Sequence, residues 1–263
     1  MDITGSTVLL TGVTGGIGGA LAAGMSARGA RLVLTGRRRE ALEPLAERYG
    51  ARTILADLAD PDDVARLAEE AAGTDILVAN AALPSSGDVL DYTPEQIDRA
   101  LAVNLRAPAM LARLLAPGMV AAGRGHICFL GSLSGVAATK SSSLYNATKF
   151  GLRGFSLAFR QDLHGTGVGV SIVQPGFVRD VGMFASTGSA TPGGVRTVSP
   201  EQVVKGVLRA ITRDVAEINV APPELRFLTR IASQFPGFAE RVQRRAGAGP
   251  ATDTIVAAQR SSR

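Results

Sequence analysis

The sequence predicts an α/β protein built on one doubly wound parallel sheet of about seven strands with helices on both faces. Three observations carry this expectation. Short apolar runs alternate with amphipathic helical stretches about six times along the chain, the pattern of strand–helix–strand units. The first apolar run leads into a glycine-rich turn and then a helix, as at the entry of a nucleotide-binding unit. The small and polar residues suited to ligand contact follow strand ends, and right-handed crossovers would bring those ends to one rim.

Thr7–Leu10 is the first strand and enters TGVTGGIGGALAAGMSARG. Gly12, Gly16 and Gly18 would let the backbone turn tightly and approach a pyrophosphate, with Thr14 and Ile17 in the same turn. The helix that follows would aim its first N–H groups at that anion. Arg31–Thr35 is the second strand and ends in Gly36-Arg37, where a dinucleotide fold meets the adenosine ribose. An acid there would hold a 2′-hydroxyl, whereas Arg37 would accept a 2′-phosphate, so NADP(H) is expected over NAD(H).

Glu40–Tyr49 reads as a helix and Thr53–Ala56 as the third strand, followed by Asp57-Leu58, whose carboxylate could reach an adenine amino group. Pro61 opens the next helix at a favoured first position. Asp75–Ala79 is the fourth strand, and Asn80-Ala81-Ala82 leaves it with side chains small enough to approach a flat cofactor. Pro94–Met119 reads as one long helix containing Asn104, a polar residue among apolar neighbours that needs partners if buried.

Ile127–Leu130 is the fifth strand, and Ser142–Leu163 reads as a helix. Val168–Val173 is the sixth strand and runs into Pro175-Gly176. Phe177–Ser199, rich in Gly, Ser and Thr, is expected to act as a lid. Pro200–Arg213 is a helix and Glu217–Val220 the seventh strand. Pro222–Phe235 then sets Leu225, Leu228, Ile231 and Phe235 on one helical face with arginines opposite, until Pro236-Gly237 breaks it. The expected organisation is a dinucleotide-binding catalytic domain over 1–222, a basic amphipathic helical extension over 223–246 and a disordered tail over 247–263.

Composition narrows the function. Apolar residues make up 46% and aromatics only 5% of the 263 residues, which suits small-residue packing of helices on a sheet. No apolar run is long enough for a membrane-spanning helix, and no basic region precedes the first apolar stretch, so the N-terminus reads as a strand and not as a secretory signal. The lone Cys128 fits a reducing compartment, and a cytoplasmic location is expected. His126 and His164, the two histidines, lack the neighbours of a metal site, so no metal is expected. Residues 226–263 hold seven Arg against two acids, a surplus equal to the whole net charge of +5. The body is therefore neutral overall, which argues against nucleic acid as a partner. Packing of the basic extension over the domain or a neighbouring subunit is expected in preference to peripheral membrane contact.

The acid/base chemistry lies between Ser132 and Lys149. Tyr145 and Lys149, four residues apart in a helix, project from one face. A tyrosine titrates near pH 10, and an adjacent ammonium would favour the phenolate and draw that pKa toward the working range of a general acid. Ser132 ends the fifth strand, which would deliver its hydroxyl to the same spot.

In combination, Thr11-Gly12-x-x-x-Gly16-Ile17-Gly18, Asn80-Ala81, Asn104, Ser132, Tyr145-x-x-x-Lys149 and Pro175-Gly176 resemble the short-chain dehydrogenase/reductase family, in its shorter single-domain branch with a Rossmann fold. The resemblance covers roughly residues 5–220. It implies an oxidoreductase interconverting a carbonyl and an alcohol, with a small-molecule ketone or aldehyde as partner. Tyr145 would give its proton to the carbonyl oxygen and Ser132 would hydrogen-bond that oxygen. Lys149 would bind the nicotinamide ribose and lower the tyrosine pKa, and Asn104 would hold a proton-passing water. Val178 and its neighbours would face the nicotinamide carboxamide. The resemblance also implies a homodimer or homotetramer that pairs the Pro94–Met119 and Ser142–Leu163 helices. Gly131 stands where the family often has a second serine, Ala79 and Ala82 replace a common Asn and Gly, and Asp180 replaces a threonine that contacts the carboxamide. The alternative reading is a non-catalytic NADP(H) sensor that keeps the fold.

Overall fold

A computed structural model of the chain describes residues 1–181 and 195–246. Its seven strands form one sheet in the order β3-β2-β1-β4-β5-β6-β7, and every pairing is parallel. The strands are β1 (Thr7–Thr11), β2 (Arg31–Gly36), β3 (Arg52–Leu55), β4 (Ile76–Ala79), β5 (Gly125–Leu130), β6 (Val168–Pro175) and β7 (Glu217–Val220). The chain adds β2 and β3 on one side of β1, then returns to build β4 to β7 on the other. The β1/β4 boundary is thus the switch point where a crevice opens at the carboxyl ends of the strands.

Helices cover both faces because the strand residues alternate. Leu9 of β1 joins one core with Leu67, Leu111 and Leu152. These come from α3 (Pro61–Glu70), α5 (Ala107–Ala121) and α6 (Ser143–Asp162). Val8 and Leu10, flanking Leu9, join the other core with Leu21, Leu42 and Val207. These belong to α1 (Gly16–Ser26), α2 (Arg39–Tyr49) and α7 (Pro200–Arg213). Both faces of the central strands are dry, which is why β4 and β5 read as unbroken apolar runs instead of alternating ones.

Two helical predictions need correction. The single helix over Pro94–Met119 is in fact α4 (Pro94–Leu101), a π-helical turn (Ala102–Arg106) and α5. Pro108 explains the break: it has no N–H, and in an α-helix its ring would strike the carbonyl four residues earlier, that of Asn104. The ladder widens instead, and the Ala107 N–H reaches back to the Ala102 carbonyl. At the other end of the chain, Pro236-Gly237 does break α8 (Pro223–Gln234), but Pro236 also opens α9 (Pro236–Ala246) at a favoured first position. The apolar face expected to pack does so only in part. Thr229 is buried and Leu225 and Ile231 are half-buried, while Leu228 and Phe235 lie exposed. The tail over 247–263 lies outside the described residues.

At the end of the sheet away from the crevice, buried His126 shares a 2.9 Å hydrogen bond between Nε2 and Ser171 Oγ. Asp214, just beyond α7, binds Arg160 at 2.8 Å and stands 4.0 Å from His126 Nδ1.

Candidate active site

The crevice is built first by the glycine turn. Gly12 has φ +67°, and a Cβ there would lie 2.7 Å from the Ala81 Cα; one on Gly18 would lie 2.1 Å from the Gly12 carbonyl oxygen. The turn and the start of α1 can therefore close on each other only without side chains. Thr11 and Asn80 lock the turn to β4. Thr11 Oγ1 accepts 3.0 Å bonds from the Asn80 and Ala81 N–H groups, and Asn80 Nδ2 donates to the Thr11 and Gly12 carbonyls at 3.0 and 3.1 Å. Thr11 in this role was not singled out from sequence. Its signal was its place as the last residue of β1.

A cavity of about 310 Å³ opens over this turn. Among its lining residues are Gly12, Thr14, Gly16, Ile17, Gly18, Arg37, Asp57, Leu58 and Asn80, all expected from sequence. Arg99 of α4 also lines it and was missed. Its guanidinium meets the Asp57 carboxylate at 3.0 Å, so the carboxylate read as an adenine contact already has a cation beside it. Burial pushes the Asp57 pKa up, but the Ala59 N–H bond, Arg99 and the more distant Arg37 outweigh it and leave the group below its ordinary value. Forty-two residues separate Arg99 from Asp57, and no local pattern could pair them.

Asn104, Ser132, Tyr145, Lys149, Pro175, Gly176 and Val178 are not among the residues lining that cavity. Ser132 lies two residues past β5, and its Oγ accepts a 3.1 Å bond from the Ser134 N–H. Tyr145 stands in the first turn of α6, with a hydrogen bond to Ser132. Buried Lys149, one turn on, carries Nζ 5.7 Å from the Tyr145 ring centroid and donates to the Leu130 carbonyl at 2.9 Å. Asn146, which sequence reasoning overlooked, holds α6 in register with the Ser132 loop: its Nδ2 donates to the Ala137 carbonyl at 3.2 Å and to the Ser134 carbonyl at 2.6 Å.

The expected electrostatics need correction. Burial raises the Tyr145 pKa, and the force opposing it is the Ser132 hydrogen bond, not the ammonium. Lys149 itself is pulled down to about 8 by burial. Its charge is thus sensitive to pH near neutrality, which a spacing of four residues does not reveal.

Asn104 sits in the π-turn and is buried, as its apolar context suggested. Its Oδ1 accepts from the Leu83 N–H at 2.6 Å, and its Nδ2 donates to the Leu83 carbonyl at 3.0 Å. The side chain is therefore engaged with the segment leaving β4.

Pro175 ends β6 and pairs with Val220, and the Gly176 N–H donates to the Val220 carbonyl at 3.0 Å. Val178 is buried and bridges to Val198 through the Phe177 carbonyl and the Arg179 N–H. Its side chain packs into the core that holds Val203, so only its backbone could meet a carboxamide. Asp180 has φ +67° and pairs with Arg179 at 3.3 Å. Gly131 stands where the resembling family often has a serine; a Cβ there would lie 3.0 Å from Ile172 Cδ1 and 3.1 Å from Gln174 Cγ, so those side chains would have to give way slightly. Residues 182–194 of the expected lid lie outside the described residues.

A glycine turn at the switch point, with Ser, Tyr and Lys gathered at the neighbouring strand ends, places the protein among oxidoreductases of the short-chain dehydrogenase/reductase class. The chain belongs to that family: the short chain dehydrogenase model matches residues 6–191. It is 32% identical over 227 residues to a ketoacyl reductase, HetN, of Nostoc sp. (strain PCC 7120), covering 83% of this chain and 79% of that one. Among solved structures, a short-chain dehydrogenase from Sphingobium yanoikuyae in complex with NADPH is 28% identical with a TM-score of 0.77, over 93% of this chain and 99% of that one. A metagenomic short-chain oxidoreductase in complex with NADP is 31% identical with a TM-score of 0.70, over 83% and 98% of the two chains.

Proposed function

We propose that this protein is an NADP(H)-dependent oxidoreductase that interconverts an apolar ketone or aldehyde and the corresponding alcohol. The observation that carries the reading is the gathering of Tyr145, its hydrogen-bond partner Ser132 and the buried Lys149 ammonium at the end of β5. The cradle suits the cofactor: Gly12 and Gly18 leave no space that a side chain could fill, and Arg37 borders the same cavity as Asp57. Gly12, Thr14, Gly16, Ile17 and Gly18 would hold the pyrophosphate, Arg37 the 2′-phosphate, and Asp57, Leu58 and Asn80 the adenosine. Pro175, Gly176 and the Val178 backbone would border the carboxamide, and Lys149 the nicotinamide ribose.

When bound, the cofactor supplies the hydride. Tyr145 donates the proton to the substrate oxygen, held there by Ser132. Tyr145 stays protonated at neutrality and so carries the proton that reduction consumes; burial makes it a weaker acid than a free tyrosine, and the Ser132 hydrogen bond offsets part of that effect. Lys149 and Asn104, through a water, would return a proton from solvent. Leu101 and Phe150 are exposed on α4 and α6, in keeping with a homodimer or homotetramer that pairs those helices. Met183, Phe184 and Val195, in the segment expected from its sequence to act as a lid, motivate the apolar substrate.

The test is NADPH consumption across ketones, aldehydes, quinones and 3-oxoacyl thioesters, with Tyr145→Phe in parallel. Turnover that vanishes in the variant while NADPH still binds supports the reading. Turnover that survives in Tyr145→Phe overturns the acid assignment, and NADPH binding without turnover by the wild type favours a sensor.

A further inference from the structure

The C-terminal helices leave open a surface that the rest of the molecule does not use. α7 sinks Val203, Val207 and Ile211 completely. In α8, α9 and the Phe235 that joins them, by contrast, Phe227, Leu228, Phe235, Phe238 and Val242 are 65, 58, 63, 60 and 49% exposed. Phe227, Ile231 and Phe235 recur every fourth residue along one flank of α8. At the elbow, the Phe238 and Ala239 N–H groups bond the Phe235 carbonyl at 3.1 and 3.0 Å, which brings the two helices together there. Arg226, Arg230, Arg241 and Arg244 lie in the same two helices with two acids, Glu224, which binds Arg196, and Glu240. Glu240 is already paired with Arg244 at 2.6 Å.

Three occupants can cover such a face, and charge and composition separate them. The segment 247–263 offers only Ile255 and Val256 as large apolar side chains, too few to cover three phenylalanines, a leucine and a valine. A second copy meeting this face across a twofold axis would bring two arginine-rich patches together, their acids Glu224 and Glu240 already paired within the chain, which is repulsive. An anionic lipid surface satisfies both features, because phenylalanines can enter the acyl boundary while long arginine side chains reach the headgroups. We propose that α8 and α9 form a peripheral docking surface for an anionic bilayer. The Leu225 side chain of α8 lies against Gly176, where a Cβ would be 3.2 Å from Leu225 Cδ2, and Glu224 binds Arg196 at 2.8 Å. The docked face is thus anchored to the same strand end as the candidate active site.

The test is co-sedimentation of the full chain with phosphatidylcholine vesicles, with and without phosphatidylglycerol. Binding only to the anionic vesicles, reduced at least tenfold in Phe227→Ser/Phe235→Ser/Phe238→Ser and at 0.5 M NaCl, is the expected result. Arg226→Glu/Arg241→Glu, which changes only exposed positions, should lose binding to a similar extent and keeps the test decisive if the triple variant fails to fold. Equal partition of wild type and variants, or no binding to anionic vesicles at all, overturns the proposal. A wild type that ignores vesicles but loses an oligomeric mass in the triple variant would assign the face to a second copy. The readout is independent of turnover, so its failure leaves the catalytic reading intact.

Discussion

The Arg99 guanidinium and the Asp57 carboxylate meet at 3.0 Å, a cation from α4 and an anion from the end of β3 forming one stretch of the cavity wall. Both side chains are partly exposed, so the pair contributes about 0–1 kcal/mol to stability. Its larger effect is electrostatic. Arg99→Leu should leave the melting temperature nearly unchanged while uncovering a negative charge beside the cavity proposed to hold the cofactor phosphates. A severalfold rise in the Kd for NADPH, measured by fluorescence titration, is expected. An unchanged Kd would show that Arg99 serves only to hold Asp57 in place.

Arg37 borders the same cavity, and a charge-assisted bond to a 2′-phosphate is worth about 1.5–3 kcal/mol. Arg37→Ser should therefore weaken NADPH binding about 10- to 100-fold and leave NADH binding almost unaltered. Parallel loss of both cofactors would place Arg37 elsewhere in the binding mode.

Lys149 makes the reduction sensitive to alkali. With its pKa lowered to about 8 by burial, it is charged below that pH and neutral above. Tyr145, whose pKa is raised, stays protonated over the same range. The kcat/KM for carbonyl reduction should be level near pH 7 and fall as pH rises past about 8. A profile level to pH 10 would exclude the Lys149 charge from the rate.

Acid should weaken the fold at the opposite end of the sheet. His126 has its pKa lowered to about 4, chiefly by burial, with Asp214 opposing the shift. A base with a depressed folded pKa is neutral when folded, so its contribution is complete above the unfolded value of about 6.5. That contribution is lost progressively as pH falls toward 4. The gap corresponds to about 3 kcal/mol. Urea midpoints should drop between pH 7 and pH 4.5, and His126→Gln should flatten that slope.

The glycine turn admits no side chain. Gly12→Ala would place a methyl group 2.7 Å from the Ala81 Cα at a left-handed backbone position, and a destabilisation of about 1–3 kcal/mol is expected. Chemical denaturation and NADPH titration should report it together.

What could be read from the sequence follows the range of each interaction. The strand–helix alternation and the Tyr145–Lys149 spacing are local periodicities, visible without a fold. Ser132 was placed beside them because it follows a strand, a rule about sheets and not about particular contacts. Arg99–Asp57 and His126–Ser171 depend on which elements become neighbours, and nothing within one helix or strand announces them. Asn146 was hidden differently, lying inside the motif that drew attention to its neighbours. The Tyr145 pKa was misjudged because charge spacing can be counted along a chain, whereas burial cannot.

The π-turn at Ala102–Arg106 also acts as a phase adjustment. Each helical residue turns the axis by about 100°, so the wide turn sets the angle at which α5 presents Leu111, Leu115 and Met119 relative to the face of α4. The extra residue of the wide turn carries the ladder past Pro108; deleting one between Ala102 and Arg106 would impose an α-helical turn in which the Pro108 ring strikes the carbonyl four residues earlier. A segment that looks like a local irregularity is therefore the gear setting between a helix that borders the cavity and a helix that belongs to the core. Insertions or deletions there should be tolerated far less than anywhere on the exposed faces of the same helices.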